Sequence, residues 1–246
     1  SVTFLGVMGL LPSSARISGS ARIGDTELIG ASKRVQRSVR GKRIAMIFQD
    51  PLSALNPVQR VGTQIVEMIQ AHQSVGKQAA IDKAVDLLDI VGIPQPKDRV
   101  NQYPHEFSGG MRQRAMIAQA VVSAPKLIIA DEPTTALDVT TQKEILDLIK
   151  DIQNKLGMAL LLISHDLAIV SALCSHIYVM YRGKIIEGGE IRRVFRAPVH
   201  DYSRQLLEAA RKLSMGPRAD EVRLEVRASA SLRLVACVPA RDCWRV

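Results

Sequence analysis

Apolar residues along this chain fall into short runs that alternate with stretches of helical periodicity. The runs at 44–48, 127–130, 159–164 and 177–181 have the length of strands, and three of them are nearly unbroken. Unbroken apolar strands are typical of parallel sheets whose two faces are both covered. We therefore predict four strands of a mainly parallel sheet at these positions.

Two longer segments place their apolar residues on one helical face. Residues 79–93 do so at positions that include Ile81 and Leu88, and residues 140–157 repeat the pattern before a glycine stop signal. Strands that alternate with amphipathic helices predict an α/β fold. Residues 181–190 are expected to form a turn between two short strands.

The same pattern predicts how the chain is organised. Residues 1–50 and 124–203 carry the strand signals, whereas residues 51–123 carry helical patterns and no convincing strand. Residues 204–246 are basic and only weakly periodic. We predict an α/β core formed by the first two segments, a helical insertion between them, and a basic tail.

Charge and cysteine content narrow the class of protein. The 246 residues include 33 Lys and Arg against 24 Asp and Glu, a net charge of +9, which favours anionic partners such as nucleotides, nucleic acid or an acidic membrane surface. Only Cys174, Cys237 and Cys243 are present, which favours a reducing compartment. The apolar opening, residues 1–12, lacks the basic flank and cleavage site of a signal peptide.

Two adjacent acids follow one predicted strand directly. In "KLIIADEPTTALD" the apolar run ends at Asp131 and Glu132. The carboxyl ends of parallel strands face the crevice where ligands bind. An Asp there can hold Mg²⁺, and a Glu can orient or deprotonate a water aimed at a γ-phosphate. The alternative is an acidic turn after a strand, which is a common arrangement.

Three further features favour a phosphate site over a plain turn. In "FSGGMRQR", Ser108, Gly109 and Gly110 stand where a helical pattern begins, and a glycine-rich helix start offers open N–H groups to an anion. Gln49 and His165 each follow another predicted strand. The four polar residues at the ends of these three strands, together with this helix start, predict one polar edge of the sheet.

In this order, Gln49, "SGGMRQ", "LIIADEP", "TALD" and "ISHD" resemble the Q-loop, signature motif, Walker B motif, D-loop and switch histidine of the ATP-binding cassette (ABC) ATPases. Longer stretches such as "IAMIFQDPLSALNPVQRVG" and "YPHEFSGGMRQR" resemble the ATP-binding subunits of bacterial dipeptide, oligopeptide and nickel importers. The resemblance covers about residues 1–204. It implies an ABC-type, RecA-like P-loop ATPase core with a helical signature subdomain.

The resemblance also implies a role for each matched residue. Asp131 would assist Mg²⁺ binding, Glu132 would be the general base, and His165 would contact the γ-phosphate. Gln49 would approach Mg²⁺ and link the site to membrane subunits, and Asp138 would cross a dimer interface. The residues that would contact ATP held by the other ATPase subunit are Ser108, Gly109, Gly110 and Gln113.

The resemblance implies ATP and Mg²⁺ as cofactors, and it also implies several protein partners. They are a second ABC ATPase subunit, two integral membrane permease subunits and, indirectly, a periplasmic or extracellular substrate-binding protein. The location implied is the cytoplasmic face of the bacterial inner membrane. The resemblance leaves the cargo open between dipeptides, oligopeptides and nickel, and no nucleic-acid partner is expected.

One family motif is missing from the sequence. The phosphate loop G-x-x-x-x-G-K-[ST] does not occur, because the Gly-Lys pairs are followed by Arg43, Gln78 and Ile185. Ser1 resembles the last residue of such a Gly-Lys-Ser, which would place it at the phosphates and Mg²⁺. We therefore expect an amino-terminally truncated ATPase subunit that binds Mg-ATP poorly alone. The alternative is a degenerate, non-catalytic fragment.

Two segments invite other functions. The basic stretch 32–43 fits a cassette ATPase that acts on nucleic acid, but it lacks interleaved aromatic residues, and we expect a solvated loop beside the sheet. Cys237 and Cys243 have the C-x₅-C spacing of an extension found in oligopeptide-type subunits. An iron–sulfur cluster normally needs four thiolates, so no cluster is expected here.

Overall fold

The computed structural model describes residues 2–135, 137–215 and 233–238. By its internal packing the chain divides into two compact units, Ser1–Met158 and Ala159–Val246. Within the described residues, every helix is too short or too polar to cross a membrane.

The first unit is mostly helical, with two short pairs of strands. The predicted helices over 79–93 and 140–157 are confirmed, and the opening segment also contains a short helix. In chain order the elements are α1 (Val2–Val7), β1 (Arg22–Ile23), β2 (Thr26–Glu27), α2 (Lys33–Val39), β3 (Ile44–Ile47), α3 (Pro51–Ala54), α4 (Val61–His72), α5 (Lys77–Ile90), α6 (Pro96–Arg99), a 3₁₀ turn (Pro104–Glu106), α7 (Gly109–Val121), β4 (Leu127–Asp131) and α8 (Val139–Leu156).

Strands β3 and β4 form a buried parallel ladder. It runs from Ile44 opposite Leu127 to Ile47 opposite Ala130. Every residue of both strands is buried. A strand buried along its whole length must be covered on both faces, which is what the unbroken apolar runs predicted.

The basic stretch 32–43 is not a loop, which corrects the sequence prediction. It forms helix α2, whose N-cap Ser32 accepts a hydrogen bond from the N–H of Val35 at 3.4 Å. A serine cap followed by residues free of Gly and Pro up to Gly41 favours a short helix, a signal that the charge of the segment obscured.

Two arginines at the end of this stretch tie neighbouring segments to it. Arg40 donates to the carbonyl oxygens of Met8 at 2.6 Å and Gly9 at 2.7 Å, just after α1. Arg43 donates to Thr26 Oγ1 at 2.9 Å and to Ile23 O at 2.8 Å, in the β1–β2 hairpin. These two cations therefore act as local braces.

Helices fill residues 51–123, where the structure shows no strand. Gln64, which is buried, donates to the carbonyls of Asn56 and Gln59, both at 3.0 Å, and accepts from the N–H of Asn56 at 2.9 Å. This one side chain closes the connection between α3 and α4. The helical subdomain boundaries remain a prediction, since the whole segment lies within the first unit.

The described residues of the second unit form four strands and three helices. The strand order is β5-β8-β6-β7. The elements are β5 (Ala159–Ser164), α9 (Leu167–Leu173), β6 (His176–Tyr181), β7 (Lys184–Glu190), α10 (Ile191–Arg196), α11 (Asp201–Met215) and β8 (Arg233–Val238).

The hairpin of β6 and β7 confirms the turn predicted within 181–190. The strands pair antiparallel, and the turn residues Arg182 and Gly183 have φ of 49° and 79°. Glu187 on β7 accepts the N–H groups of Val199 at 2.8 Å and His200 at 3.2 Å, which anchors the start of α11. Burial acts to raise the pKa of Glu187, but the Ser203 hydroxyl, these two backbone N–H groups and the charge of Arg193 together outweigh it and lower the pKa.

The segment 204–246 contains more structure than a basic tail. Helix α11 continues to Met215, and residues 233–238 form β8, which runs antiparallel to both β5 and β6. It follows that β5 and β6 are parallel to each other, as predicted, but are not adjacent. The sequence pattern missed β8 because a single six-residue strand carries little periodic signal in a charged context.

Candidate functional site

Two of the predicted polar tips meet in the first unit. Gln49 comes two residues after β3, and Glu132 comes directly after β4. Because β3 and β4 are parallel partners, their carboxyl ends lie at the same edge. Gln49 Nε2 donates a hydrogen bond to Glu132 Oε2 at 3.1 Å. The structure thus brings these two residues into direct contact, while their chemical roles remain predictions.

Glu132 is held in an unusual backbone conformation. Its φ is 48°, in the left-handed region that costs a non-glycine residue about 1 kcal/mol or more. The turn that follows supports it, since the N–H of Thr135 donates to Glu132 O at 3.2 Å and Thr135 Oγ1 donates to Glu132 Oε2 at 2.9 Å. Two side-chain donors therefore converge on one carboxylate oxygen and fix its direction.

Asp131 is the last residue of β4 and is 7% exposed. The described residues hold no group of three or more His, Cys, Asp and Glu side chains that could bind a metal ion by themselves. Mg²⁺ in nucleotide sites uses one or two carboxylates together with phosphate oxygens and water. Asp131 and the Gln49 amide fit that limited role. The predicted ligand Ser1 lies outside the described residues.

The glycine-started helix is built as the sequence predicted. Ser108 caps α7 and accepts from the N–H of Met111 at 3.2 Å. Ser108 and Gly109 are exposed, so the positive end of a 13-residue helix faces outward. Gln113, in contrast, is 2% exposed, and its Nε2 has no hydrogen-bond partner among the described residues. Its proposed contact with ATP would require that side chain to leave the interior.

Asp138 caps α8, and Thr141 is its partner. Asp138 accepts from the N–H of Thr141 at 3.0 Å and from Thr141 Oγ1 at 2.7 Å. Both bonds lower the pKa of Asp138 below its ordinary value of 3.8, and the backbone bond has the larger effect. The carboxylate is exposed and charged at neutral pH.

The starts of α7 and α8 lie against each other. A Cβ on Gly110 would lie 2.8 Å from Thr141 Cγ2, closer than carbon atoms tolerate, whereas a Cβ on Gly109 would lie 3.7 Å from Leu137 Cδ2. Glycine is therefore needed at position 110 for close packing, and position 109 has room. Ser108, Gly109, Gly110 and Asp138 share one region of the first unit as a result.

Sequence reasoning missed two residues that shape this region. Gln142 Nε2 donates to the carbonyls of Thr134 at 3.1 Å and Leu137 at 3.2 Å, which ties the loop after Glu132 to α8. Thr135 orients Glu132, as described above. The only available signal was position, because both residues lie within ten positions of Glu132, Thr135 in the stretch singled out and Gln142 in the helix predicted after it.

His165 lies in the second unit, exposed and directly after β5. Its neighbours form a compact helix start. Ser164 Oγ accepts from the N–H of Asp166 at 3.0 Å, and Asp166 caps α9 by accepting from the N–H groups of Ala168 and Ile169 at 2.8 and 3.3 Å. The placement of His165 beside Glu132 stays a prediction.

A buried parallel ladder that ends in acids, with a glycine-started helix nearby, defines a nucleotide-binding class of α/β protein. The chain belongs to the ABC transporter family, whose profile matches residues 8–135. The family membership and the α/β cassette fold predicted from the motifs are thereby confirmed.

Proteins named as ATP-binding proteins of peptide transport match most of the chain. It is 46% identical over 213 residues to the oligopeptide transport ATP-binding protein OppD of Salmonella typhimurium, which covers 87% of this chain and 64% of that protein. It is 48% identical to OppD of Bacillus subtilis over 84% of this chain and 58% of that protein. It is 45% identical to the dipeptide transport ATP-binding protein DppD of Haemophilus influenzae over 88% of this chain and 66% of that protein. The chain thus spans about two thirds or less of these relatives.

Solved structures support the fold. The ATP-binding cassette MJ0796, in a dimeric post-hydrolysis state bound to ADP and Pi, superimposes with a TM-score of 0.66 at 21% identity. The match covers 78% of this chain and 79% of that chain. A second dimeric structure of MJ0796, described as a bacterial ABC transporter cassette, gives a TM-score of 0.65.

Proposed function

We propose that this chain is an ATP-hydrolysing subunit that energises the import of di- or oligopeptides, or of nickel, across the bacterial inner membrane. The observation that carries the proposal is the position of Glu132, held by Gln49 and Thr135 at the edge where β3 and β4 end. The OppD and DppD relatives favour peptides as the cargo.

In the proposed reaction Glu132 accepts a proton from the water that attacks the γ-phosphate. The donors on Oε2 orient the carboxylate toward that water. Bound Mg²⁺ supplies charge neutralisation at the phosphates, and Asp131 and Gln49 are the residues here that would hold it. His165 would donate a hydrogen bond to the γ-phosphate and keep the water in line.

The proposed ATPase works as a pair of subunits. Ser108, Gly109 and Gly110 present N–H groups and a hydroxyl that suit the phosphates of ATP on a partner subunit. The sequence has no G-x-x-x-x-G-K-[ST] motif. The main contribution that we assign to this chain is therefore its signature motif, Ser108, Gly109 and Gly110, which would bind ATP on the partner. Asp138, charged and exposed, would contact the partner across the interface.

The remaining partners follow from this role. We propose two integral membrane permease subunits that couple hydrolysis to transport, and a periplasmic or extracellular binding protein that delivers the cargo. The chain would sit on the cytoplasmic face of the inner membrane. Its net charge of +9 suits a position close to an anionic surface.

The test is phosphate release at saturating Mg-ATP from the chain assembled with a partner ATPase subunit and permeases. Glu132→Gln is expected to lower the rate by about 10²- to 10⁴-fold, the range for loss of a general base. Ser108→Arg is expected to remove the contribution of this chain to the site of the partner. The matched control is Glu208→Gln on α11, an exposed position, which should leave the rate unchanged.

The result that contradicts the proposal is a rate unaffected by both Glu132→Gln and Ser108→Arg. That outcome would identify the chain as non-catalytic. A separate titration of the isolated chain with Mg-ATP addresses the missing phosphate loop, and micromolar affinity there would contradict the expectation of weak binding.

A cassette ATPase that acts on nucleic acid is the second candidate. Helix α2 exposes Lys33, Arg34 and Arg37, which is the observation in its favour. The chain is only 4% aromatic, which leaves few surfaces for base stacking. Salt-sensitive DNA binding that is lost when these three residues become Ala would favour this candidate, whereas co-purification with permeases would favour import.

A further inference from the structure

An open cavity of about 550 Å³ lies in the second unit, between the end of α9 and helix α10. Small-molecule sites in proteins have volumes of about 300–1,000 Å³, and this cavity falls within that range. One side is formed by α9 and the turn after it, and the other by the end of β7 and by α10. The cavity is therefore large enough for a compact organic molecule.

The cavity lies toward the opposite end of the sheet from His165. Ser164 of β5 and Val179 of β6 both pair with Leu234 of β8, so they lie at the same level. His165 comes one residue later, whereas Ser175, which lines the cavity, precedes β6. At about 3.3 Å per residue, the two are about 16 Å apart along the strands. The cavity is therefore separate from the part of the proposed nucleotide site that lies in this unit.

Backbone bonds hold α10 against the turn that follows α9. The N–H of Ile191 donates to the carbonyl oxygen of Ser175 at 2.9 Å, and Glu190 pairs with His176 in the β6–β7 hairpin. Val194, on the inner side of α10, is 1% exposed. Both sides of the cavity are thus fixed by contacts that need no ligand.

The three arginines of α10 have different surroundings. Arg193 Nη2 donates to the carbonyl oxygen of Gly188 at 2.7 Å, which directs this side chain back onto β7. Arg192 and Arg196 both line the cavity. They are four residues apart, so they lie on one face of the helix with their Cβ atoms about 6 Å apart. Within the described part of the chain, neither guanidinium group of this pair makes an ion pair or a hydrogen bond.

The wall of the cavity carries a net positive charge. Arg192 and Arg196 contribute two cations, against the single carboxylate of Glu190. Like charges four residues apart on a helix repel each other, and an anion between them removes that repulsion. The planar fork of a guanidinium group fits two oxygens of one phosphate. A phosphate monoester, with three acceptor oxygens and a charge of about −1.5 to −2 at pH 7, can therefore engage both arginines.

The same wall also carries apolar side chains. Ile191 and Phe195 are again four residues apart and form a second row on α10, beside the arginines. Cys174, which is 8% exposed, adds a small apolar contact from the opposite side. An inorganic anion would leave these side chains uncovered, whereas an organic phosphate would bury them.

We propose that this cavity binds a small organic phosphate. The phosphate monoester lies between Arg192 and Arg196, and the apolar part of the molecule packs against Ile191 and Phe195. The two arginines select the phosphate, and the apolar row selects an organic molecule over the free anion. The site is independent of the nucleotide chemistry proposed above.

Calorimetric titration of the full chain with phenyl phosphate tests the site. We expect Arg192→Gln and Arg196→Gln each to weaken binding by at least about tenfold, through the loss of one charge-assisted pair. The matched control is Lys184→Gln, which removes an exposed cation at the other end of β7 and should leave the affinity nearly unchanged. Equal weakening by all three substitutions would show attraction to the net charge of the chain alone and would overturn the site.

A bulky residue in the cavity separates binding there from binding elsewhere on the chain. Ser171 lines the cavity, and its hydroxyl donates to the carbonyl oxygen of Ala168 in the same helix at 2.9 Å. Ser171→Trp therefore keeps every charge and fills part of the cavity. We expect it to abolish binding of phenyl phosphate, with a circular dichroism spectrum like that of the wild type. Wild-type affinity in this variant would place the ligand elsewhere and contradict the proposal.

Related compounds test the two parts of the recognition. Inorganic phosphate lacks the apolar part and benzyl alcohol lacks the charge, so each should bind at least about tenfold more weakly than phenyl phosphate. Inorganic phosphate that binds as tightly as phenyl phosphate would overturn the assignment to an organic ligand. Phosphatidic acid vesicles present the same monoester on a lipid. Vesicle binding that Arg192→Gln and Arg196→Gln abolish, with no binding of phenyl phosphate, would identify a membrane contact instead and overturn the proposal.

Discussion

Gln49 Nε2 donates a hydrogen bond of 3.1 Å to Glu132 Oε2, although the two residues are 83 positions apart in sequence. Each follows a strand of the β3–β4 ladder, so the contact depends on the parallel register of that ladder. An amide from one strand end thereby restrains the carboxylate at the other. The contact joins the residue expected to link the site to membrane subunits with the residue proposed to activate water.

Replacement of Gln49 should change activity far more than stability. Gln49 is exposed, so Gln49→Ala should lower the free energy of unfolding by no more than about 1 kcal/mol, the net value of one hydrogen bond. Gln49→Glu would place two carboxylates about 3 Å apart and raise the pKa of one of them, since both cannot remain ionised at that distance.

Urea denaturation and phosphate release in the assembled transporter measure the two effects for Gln49. For Gln49→Glu we expect the rate to fall and its pH profile to shift upward, with Gln49→Ala intermediate. A pH profile identical to that of the wild type in Gln49→Glu would show that the two side chains are not in contact in the working enzyme.

Thr135 is expected to position Glu132. Thr135→Val keeps the shape but removes the hydroxyl that donates to Glu132 Oε2 at 2.9 Å, so the carboxylate loses that donor. We expect a lower kcat with KM nearly unchanged, and a loss of about 1 kcal/mol in stability. Thr135→Ser restores the donor and should restore kcat. If the serine variant is as slow as the valine variant, the hydroxyl does not position the base.

Two adjacent glycines should respond differently to alanine. Gly110→Ala would place a methyl 2.8 Å from Thr141 Cγ2, whose hydroxyl is bound to Asp138, so Thr141 cannot move without losing that bond. We expect a loss of about 1–3 kcal/mol in the free energy of unfolding, the usual cost of overpacking.

Gly109→Ala is the matched control for Gly110→Ala. Its methyl would make an ordinary contact of 3.7 Å with Leu137, and alanine favours the helix. Thermal or urea unfolding of both variants gives the comparison. Equal destabilisation by the two substitutions would contradict the close packing of α7 on α8.

The cap on α8 should make stability depend on acid pH. Because the pKa of Asp138 is lowered in the folded state, the charged cap stabilises the fold at pH values above 3.8, and this contribution is lost as the pH falls through the lowered value. Asp138→Asn keeps an oxygen acceptor but does not titrate. The stability difference between wild type and Asp138→Asn should therefore be largest at neutral pH and shrink in acid.

A carboxyl titration by NMR measures the pKa of Asp138 directly. Thr141→Val removes the hydroxyl donor but keeps the N–H, so the pKa should rise toward 3.8 without reaching it. A wild-type titration at or above 3.8 would contradict the hydrogen-bond pattern of the cap.

The sequence by itself determined the strands at Ile44–Ile47 and Leu127–Asp131, the helices at Lys77–Ile90 and Val139–Leu156, and the family. The reason is local. Apolar runs and amphipathic periodicity indicate which residues are buried, and the sequence motifs around Ser108 and Glu132 are specific enough to identify an ABC protein. The residues at the strand tips could likewise be named from their position in the chain.

Only the tertiary structure decided which of these residues meet. Three features depend on contacts between separate elements. They are the hydrogen bond from Gln49 to Glu132, the difference in space between Gly109 and Gly110, and the support that Gln142 gives to the loop after Glu132. Strand β8 is a further case, because its partners precede it by more than fifty positions. A six-residue strand carries no local pattern that identifies its neighbours, because its pairing depends on which backbone N–H and C=O groups the other strands leave unpaired.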